Sequence, residues 1–113
     1  MSRVATKTEQ LDEIDRWSVL VMRMRRARMP LWAMEQLVEA FEHGVKKHGA
    51  GDYLEAYASN PLEPFVKATR HMGQMYASEH YPKELAIDEE SGVLHVAKTA
   101  ANLLIGIEVA HVA

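Results

Sequence analysis

The chain has 113 residues, 48% apolar and 26% charged, with no cysteine and a formal net charge of −3. These values fit one globular domain over 1–113, exclude a disulfide framework and thiolate chemistry, and argue weakly against a general nucleic-acid binder. No apolar run reaches the roughly 18–20 residues of a membrane span, and "MSRVATKTEQ" lacks the apolar centre of a secretion signal, so a cytoplasmic setting is expected.

The first predicted helix runs from about Thr8 to Arg28, with Leu11, Ile14, Trp17, Val21 and Met24 at helical spacing. Asp12, Glu13 and Asp15 come early and Arg23, Arg25, Arg26 and Arg28 late, a polarity that suits the helix dipole. "RMRRAR" reads either as a phosphate or nucleic-acid patch or as a solvated helix end. The acidic net charge and the lack of interleaved aromatics favour the latter.

Pro30 closes that helix and opens a second to about Lys47, whose stripe is Leu31, Met34, Leu37, Val38, Phe41 and Val45, with Gly49 or Gly51 as the stop. A connector follows, with one helical turn expected around Tyr53 to Ala58. Pro64 opens a third helix to about Ser78, carrying Phe65, Ala68, Met72, Met75 and Tyr76 on one side. After "EHYPKELAIDEESG" a fourth helix is predicted from near Ser91 almost to the end. With no convincing strand, the expectation is an all-α bundle of four to five helices, small enough to gain from oligomerisation.

On a helical wheel, the fourth helix is apolar in most directions, and the remaining strip holds His95, Lys98, Thr99, Asn102 and Gly106. Burying such groups costs roughly 1–3 kcal/mol each without partners, so they should meet polar groups in the bundle. A satisfied core network with one surface lysine explains the strip as well as a binding site does. The second helix carries Glu35, Glu39 and Glu42, at a spacing that can aim oxygen ligands at a hard divalent cation; it also suits a merely solvated row. On the third, Arg70 suits phosphate or carboxylate, and His71 borders the apolar stripe. Lys46 and Lys47 complement a helix C-terminus and could reach a triphosphate.

Three stretches in order carry a family resemblance. "MPLWAMEQLVEAFEHGVKKHG" is similar to a proline-led Ala-Leu-Glu helix ending in Gly-Ala-Lys-Lys-Tyr-Gly. "FVKATRHM" is similar to an Ala-Ala-Leu-Arg-His segment. "IDEESGVLHVAKTAANLL" matches Asp-x-Glu-Ser/Thr-Gly-x-x-His-x-Ala-x-x-Ala-Ala-Asn and is the specific one. Together they resemble the dATP/dGTP diphosphohydrolase N-terminal domain family, phage and bacterial proteins related to MazG-like all-α nucleotide pyrophosphohydrolases. The resemblance covers about Met29 to Ala110, leaving 1–28 as an extension helix and 29–110 as the core.

This resemblance implies metal-dependent cleavage of a deoxynucleoside triphosphate, dGTP or dATP in kind, to a monophosphate and pyrophosphate. It implies Mg²⁺ or Mn²⁺ and a homodimer or homotetramer, while the composition points to no membrane partner and argues against a nucleic-acid one. Glu35, His71, Asp88 and His95 are the expected catalytic residues. Lys46, Lys47, Arg70, Lys98 and Asn102 are expected to bind substrate, and Glu35, Glu39, Glu42, Asp88 and Glu90 to hold metal. Two departures stand out: Lys98 replaces a second family histidine, and His48 a tyrosine. An ammonium cannot ligate a cation but can bind phosphate oxygens. A non-catalytic nucleotide binder or phage adaptor is the competing reading.

Overall fold

The computed structural model describes residues 7–77 and 87–112, and these hold five helices and no strand. They are α1 (Lys7–Arg26), α2 (Leu31–His48), α3 (Tyr53–Ala56), α4 (Glu63–Ala77) and α5 (His95–Val112). The all-α expectation holds. Ser78 and the first part of the second connector, residues 78–86, lie outside the described residues. Among the described residues no helix is long and apolar enough to cross a membrane.

The chain divides at Leu31 and Trp32 into two compact units. In the first, α1 ends in a Schellman-type cap. Arg28 N–H donates to the Arg25 carbonyl at 3.0 Å and Met29 N–H to the Met24 carbonyl at 3.1 Å. Arg28 takes the left-handed conformation at φ 54°, a position glycine usually fills. Ile14, Trp17 and Val21 are all more than half exposed.

In the second unit, Gly49 at φ 100° stops α2 as expected. α4 and α5 run antiparallel. His71 meets His95, Thr99 Oγ1 donates to the Ala68 carbonyl at 3.5 Å, and Phe65 lies over Gly106. A Cβ on Gly106 would sit 2.5 Å from the Phe65 ring, so close helix packing explains this glycine rather than a place in the polar strip. α2 joins through a small core of Ala40, Val93, Ala97 and Ala101, flanked by Leu37, Phe41 and Leu94. Alanines let the backbones approach, but they bury little apolar area. Larger side chains such as Trp32 and Ile107 are 66% and 60% exposed.

Helix α5 starts four residues later than Ser91. Residues 87–94 form a tight turn closed by an Ile87–Leu94 bridge, with Gly92 at φ 72°. That left-handed residue cannot continue into a helix, so helical geometry begins only after it.

Candidate functional site

The turn before α5 is built around one carboxylate oxygen. Asp88 Oδ2 accepts from Ser91 Oγ at 2.8 Å, from the Ser91 backbone N–H at 3.2 Å and from Lys98 Nζ at 2.8 Å. Ser91 Oγ in turn accepts from the Val93 N–H at 3.2 Å. The "DEESG" sequence thus supplies an acceptor, a hydroxyl that bridges it to the backbone, and the glycine the turn requires. Burial alone would push the Asp88 carboxyl up. The hydrogen bonds from Lys98 and Ser91 outweigh it and hold the carboxyl at about 2. The Lys98 and Asp88 side chains are only 16% and 18% exposed, so the pair sits in a poorly solvated place where charge acts strongly.

One turn before Lys98 on the same helix, His95 faces His71 of α4, Nδ1 to Nδ1 at 3.3 Å, with ring centroids 5.6 Å apart. One nitrogen must donate and the other accept, so a single hydrogen lies between the rings. Burial and the Lys98 ammonium push His71 down from 6.5, with His95 adding to the effect, so His71 is neutral at pH 7.

The structure therefore brings together His71, Asp88, His95 and Lys98. Arg70 is adjacent in sequence but exposed. Asn102 Nδ2 donates to the Lys98 carbonyl at 2.9 Å, so one of its two amide hydrogens is spent on its own helix. Glu90 leaves the cluster to meet Lys47 at 3.5 Å on the surface. Glu35, Glu39, Glu42 and Lys46 are exposed, on the side of α2 opposite the Leu37–Ala40–Phe41–Gly44 face that packs toward α5. The acidic row and the histidine–lysine cluster do not meet within one chain.

A cavity of about 290 Å³ lies between α2, α3, α4 and α5, and none of the four cluster residues lines it. Phe41, Tyr53 and Tyr57 give it aromatic walls, and Ala40, Gly44, Gly49 and Ala101 leave the space open. At its polar side Lys67 Nζ donates to Tyr57 Oη at 2.5 Å and stands 4.9 Å from that ring's centroid. Burial and the Glu108 carboxylate push the Tyr53 phenol up, which keeps it a neutral hydroxyl. On α5 the cavity residues Ala101 and Ile105 lie about 60° and 20° to one side of Lys98, while His95 lies about 60° to the other. The cavity and the polar cluster thus share an edge along one helix. Ligand pockets span roughly 300–1,000 Å³, so this one fits a single planar ring system better than a whole nucleotide. Sequence reasoning missed it and placed the substrate contacts on Lys46, Lys47, Arg70, Lys98 and Asn102 instead. Its signal was the clustering of Gly44, Gly49 and Gly51 with Phe41, Tyr53 and Tyr57.

The sequence matches the family model described as dATP/dGTP diphosphohydrolase, N-terminal, over residues 7–112. The chain belongs to this family. Neither the curated proteins nor the solved structures contain a match to it.

At the level of the dATP/dGTP diphosphohydrolase N-terminal family, the chain is a nucleotide hydrolase domain. The match takes in α1, which the motif resemblance leaves outside. The described residues of one chain do not fit a resident divalent cation. Among the described residues no group of three histidines or carboxylates could hold one. Asp88 is already engaged by Lys98 and Ser91, and Glu90 by Lys47.

Proposed function

We propose that the Asp88–Lys98–His95–His71 cluster and the adjoining cavity take a deoxynucleoside triphosphate, which is cleaved to a monophosphate and pyrophosphate. The observation that carries this reading is the shared edge along α5. Lys98, largely withdrawn from solvent, stands one turn before Ala101, which lines an aromatic-walled space of ring size, as a phosphate chain joined to a base requires. The base enters the cavity, where Lys67 and Tyr57 offer donors to its acceptor edge. The triphosphate lies along the strip, with Lys98 offsetting phosphate charge and Arg70 within reach of the outer phosphates.

Water attacks the α-phosphorus and the bond to the β-bridging oxygen breaks. Pyrophosphate leaves with that electron pair, and the water's proton passes to the histidine pair. His71 suits this task because its depressed pKa leaves it neutral and able to accept. Lys98 suits its own because its charge is desolvated and fixed in place by Asp88. Mg²⁺ or Mn²⁺ belongs with the substrate in this reading, as the counter-ion of the triphosphate. Glu35, Glu39 and Glu42 remain as exposed carboxylates that could meet such a complex.

A homodimer or homotetramer goes with this reading. Support comes from the modest alanine core and from Val96, Leu103 and Ile107, exposed on α5. The test is a panel of deoxynucleoside triphosphates with each metal, read by mass. Monophosphate plus pyrophosphate is expected, and no product from any of them removes the catalytic reading. The closed Lys98–Asp88 pair favours one alternative, nucleotide binding without turnover. Metal-independent binding in calorimetry, with no product, would select it.

A further inference from the structure

We propose that His71 and His95 bind an exchangeable transition-metal ion of the zinc class, which takes the place of the hydrogen held between their Nδ1 atoms. Binding needs no substrate; only its effect on turnover rests on the hydrolytic reading.

The separation of the rings suits a metal better than a hydrogen. Nδ1 to Nδ1 is 3.3 Å, long for a hydrogen bond from N–H, which spans roughly 2.7–3.2 Å. Two nitrogens on a tetrahedral zinc ion, each about 2.0–2.1 Å from it, stand about 3.3 Å apart. The ring centroids are 5.6 Å apart, so the two nitrogens lead the approach of the rings. A pivot of each ring then aims both lone pairs at one ion.

The helices hold that spacing without help from the pair. Thr99 Oγ1 donates to the Ala68 carbonyl at 3.5 Å, about one turn from each histidine. Further along, Phe65 lies over Gly106. Binding therefore asks two side chains to rotate while the backbones stay in place.

The donor set selects the ion. Imidazole nitrogen suits zinc, copper and nickel, whereas Mg²⁺ and Ca²⁺ take oxygen ligands. Lys98 follows His95 by one turn, but Asp88 balances its charge at 2.8 Å. Among the described residues no third histidine or carboxylate completes the set. The remaining positions fall to water, which makes the ion exchangeable, unlike a structural zinc closed by four protein ligands.

Occupancy changes what the pair can do. With both Nδ1 lone pairs on the ion, each ring carries its hydrogen on Nε2, and no nitrogen is left to accept a proton. On the hydrolytic reading, the bound ion switches the site off.

The test is a titration of Zn²⁺ into the full chain without nucleotide, against a chromophoric chelator. One ion should bind at the pair, and excess Mg²⁺ should not displace it. His71→Gln and His95→Gln should each weaken that binding on the order of tenfold or more, whereas His111→Gln should not. No uptake by the unaltered chain, or uptake indifferent to both substitutions, would overturn the site.

Imidazole nitrogen NMR on the unaltered chain covers the case in which a variant does not fold. Without zinc one of the two rings carries its hydrogen on Nδ1; at saturation both should carry it on Nε2. A ring that keeps its Nδ1 hydrogen at saturation would overturn the site as well. In pyrophosphate-release assays, half-inhibition should coincide with half-filling of the pair, and full release from the filled pair would overturn the switch. A chain that releases no pyrophosphate under any condition removes the hydrolytic reading, and the titration and NMR still decide the site.

Discussion

Replacing Lys98 by methionine removes one charge while keeping the length of the side chain, and the structure sets the size of the result. Lys98 and Ser91 together hold Asp88 at about 2 against an ordinary 3.8, Lys98 through both a hydrogen bond and its charge. That difference corresponds to roughly 2.4 kcal/mol at 1.36 kcal/mol per tenfold, and about 1–2 kcal/mol after allowance for solvent at the pair. A depressed carboxylate adds stability above its unfolded pKa, and that stability is lost as pH falls from about 4 toward 2. Lys98→Met should therefore lower stability by about 1–2 kcal/mol at pH 7, and a few degrees in melting temperature per kcal/mol follows for a domain of this size. The loss should shrink toward pH 2, where wild-type Asp88 is itself becoming protonated. Two titrations followed by NMR check the cause. The Asp88 carboxyl carbon should titrate higher than in the wild type, with Ser91 keeping part of the depression, and His71 should rise once the Lys98 charge is gone. On the proposed mechanism, pyrophosphate release should also fall, by on the order of 10²-fold or more. An Asp88 that still titrates near 2 in the methionine variant would refute the account of the pair.

Three further outcomes follow from the packing. Gly106→Ala should cost about 1–3 kcal/mol in denaturant unfolding, because its methyl meets the Phe65 ring, and Phe65→Leu in the same chain should recover part of the loss. Arg28→Gly should stabilise α1 by about 1 kcal/mol in thermal unfolding followed by circular dichroism, because glycine adopts φ 54° without strain. Gly44→Leu should fill the cavity without breaking α2, since nothing lies within 4 Å of a Cβ there. It should raise KM for a deoxynucleoside triphosphate while leaving the affinity for inorganic triphosphate unchanged, as competition assays would report.

Much of this fold was legible because apolar residues recur at helical spacing, and helix ends carry prolines, glycines and arginines. The start of α5 was not. Ser91 resembles a helix cap in the sequence, but its hydroxyl turns back to Asp88, and Gly92 commits the chain to a left-handed turn. His95 and Lys98 were legible as residues in need of partners, and Asp88 and His71 supply them. The acidic row of α2 was legible as a row, but periodicity shows that residues share a face and not what that face meets. The cavity escaped notice because it is a property of missing side chains. Glycines and alanines on different helices create it, and no motif records their convergence.

The histidine pair has a consequence that lies in where its hydrogens must be. With one hydrogen shared between the two Nδ1 atoms of a neutral pair, the ring that donates it carries a bare Nε2 lone pair. The ring that accepts it must carry its own hydrogen on Nε2. The pair thus has one proton acceptor and one proton donor at its two outer nitrogens, at no net charge. Moving the inner hydrogen across, with an exchange at the outer nitrogens, inverts the tautomers and swaps the roles. When both rings are neutral, two identical side chains thereby present a donor and an acceptor together, with the assignment set by a single hydrogen rather than by either residue.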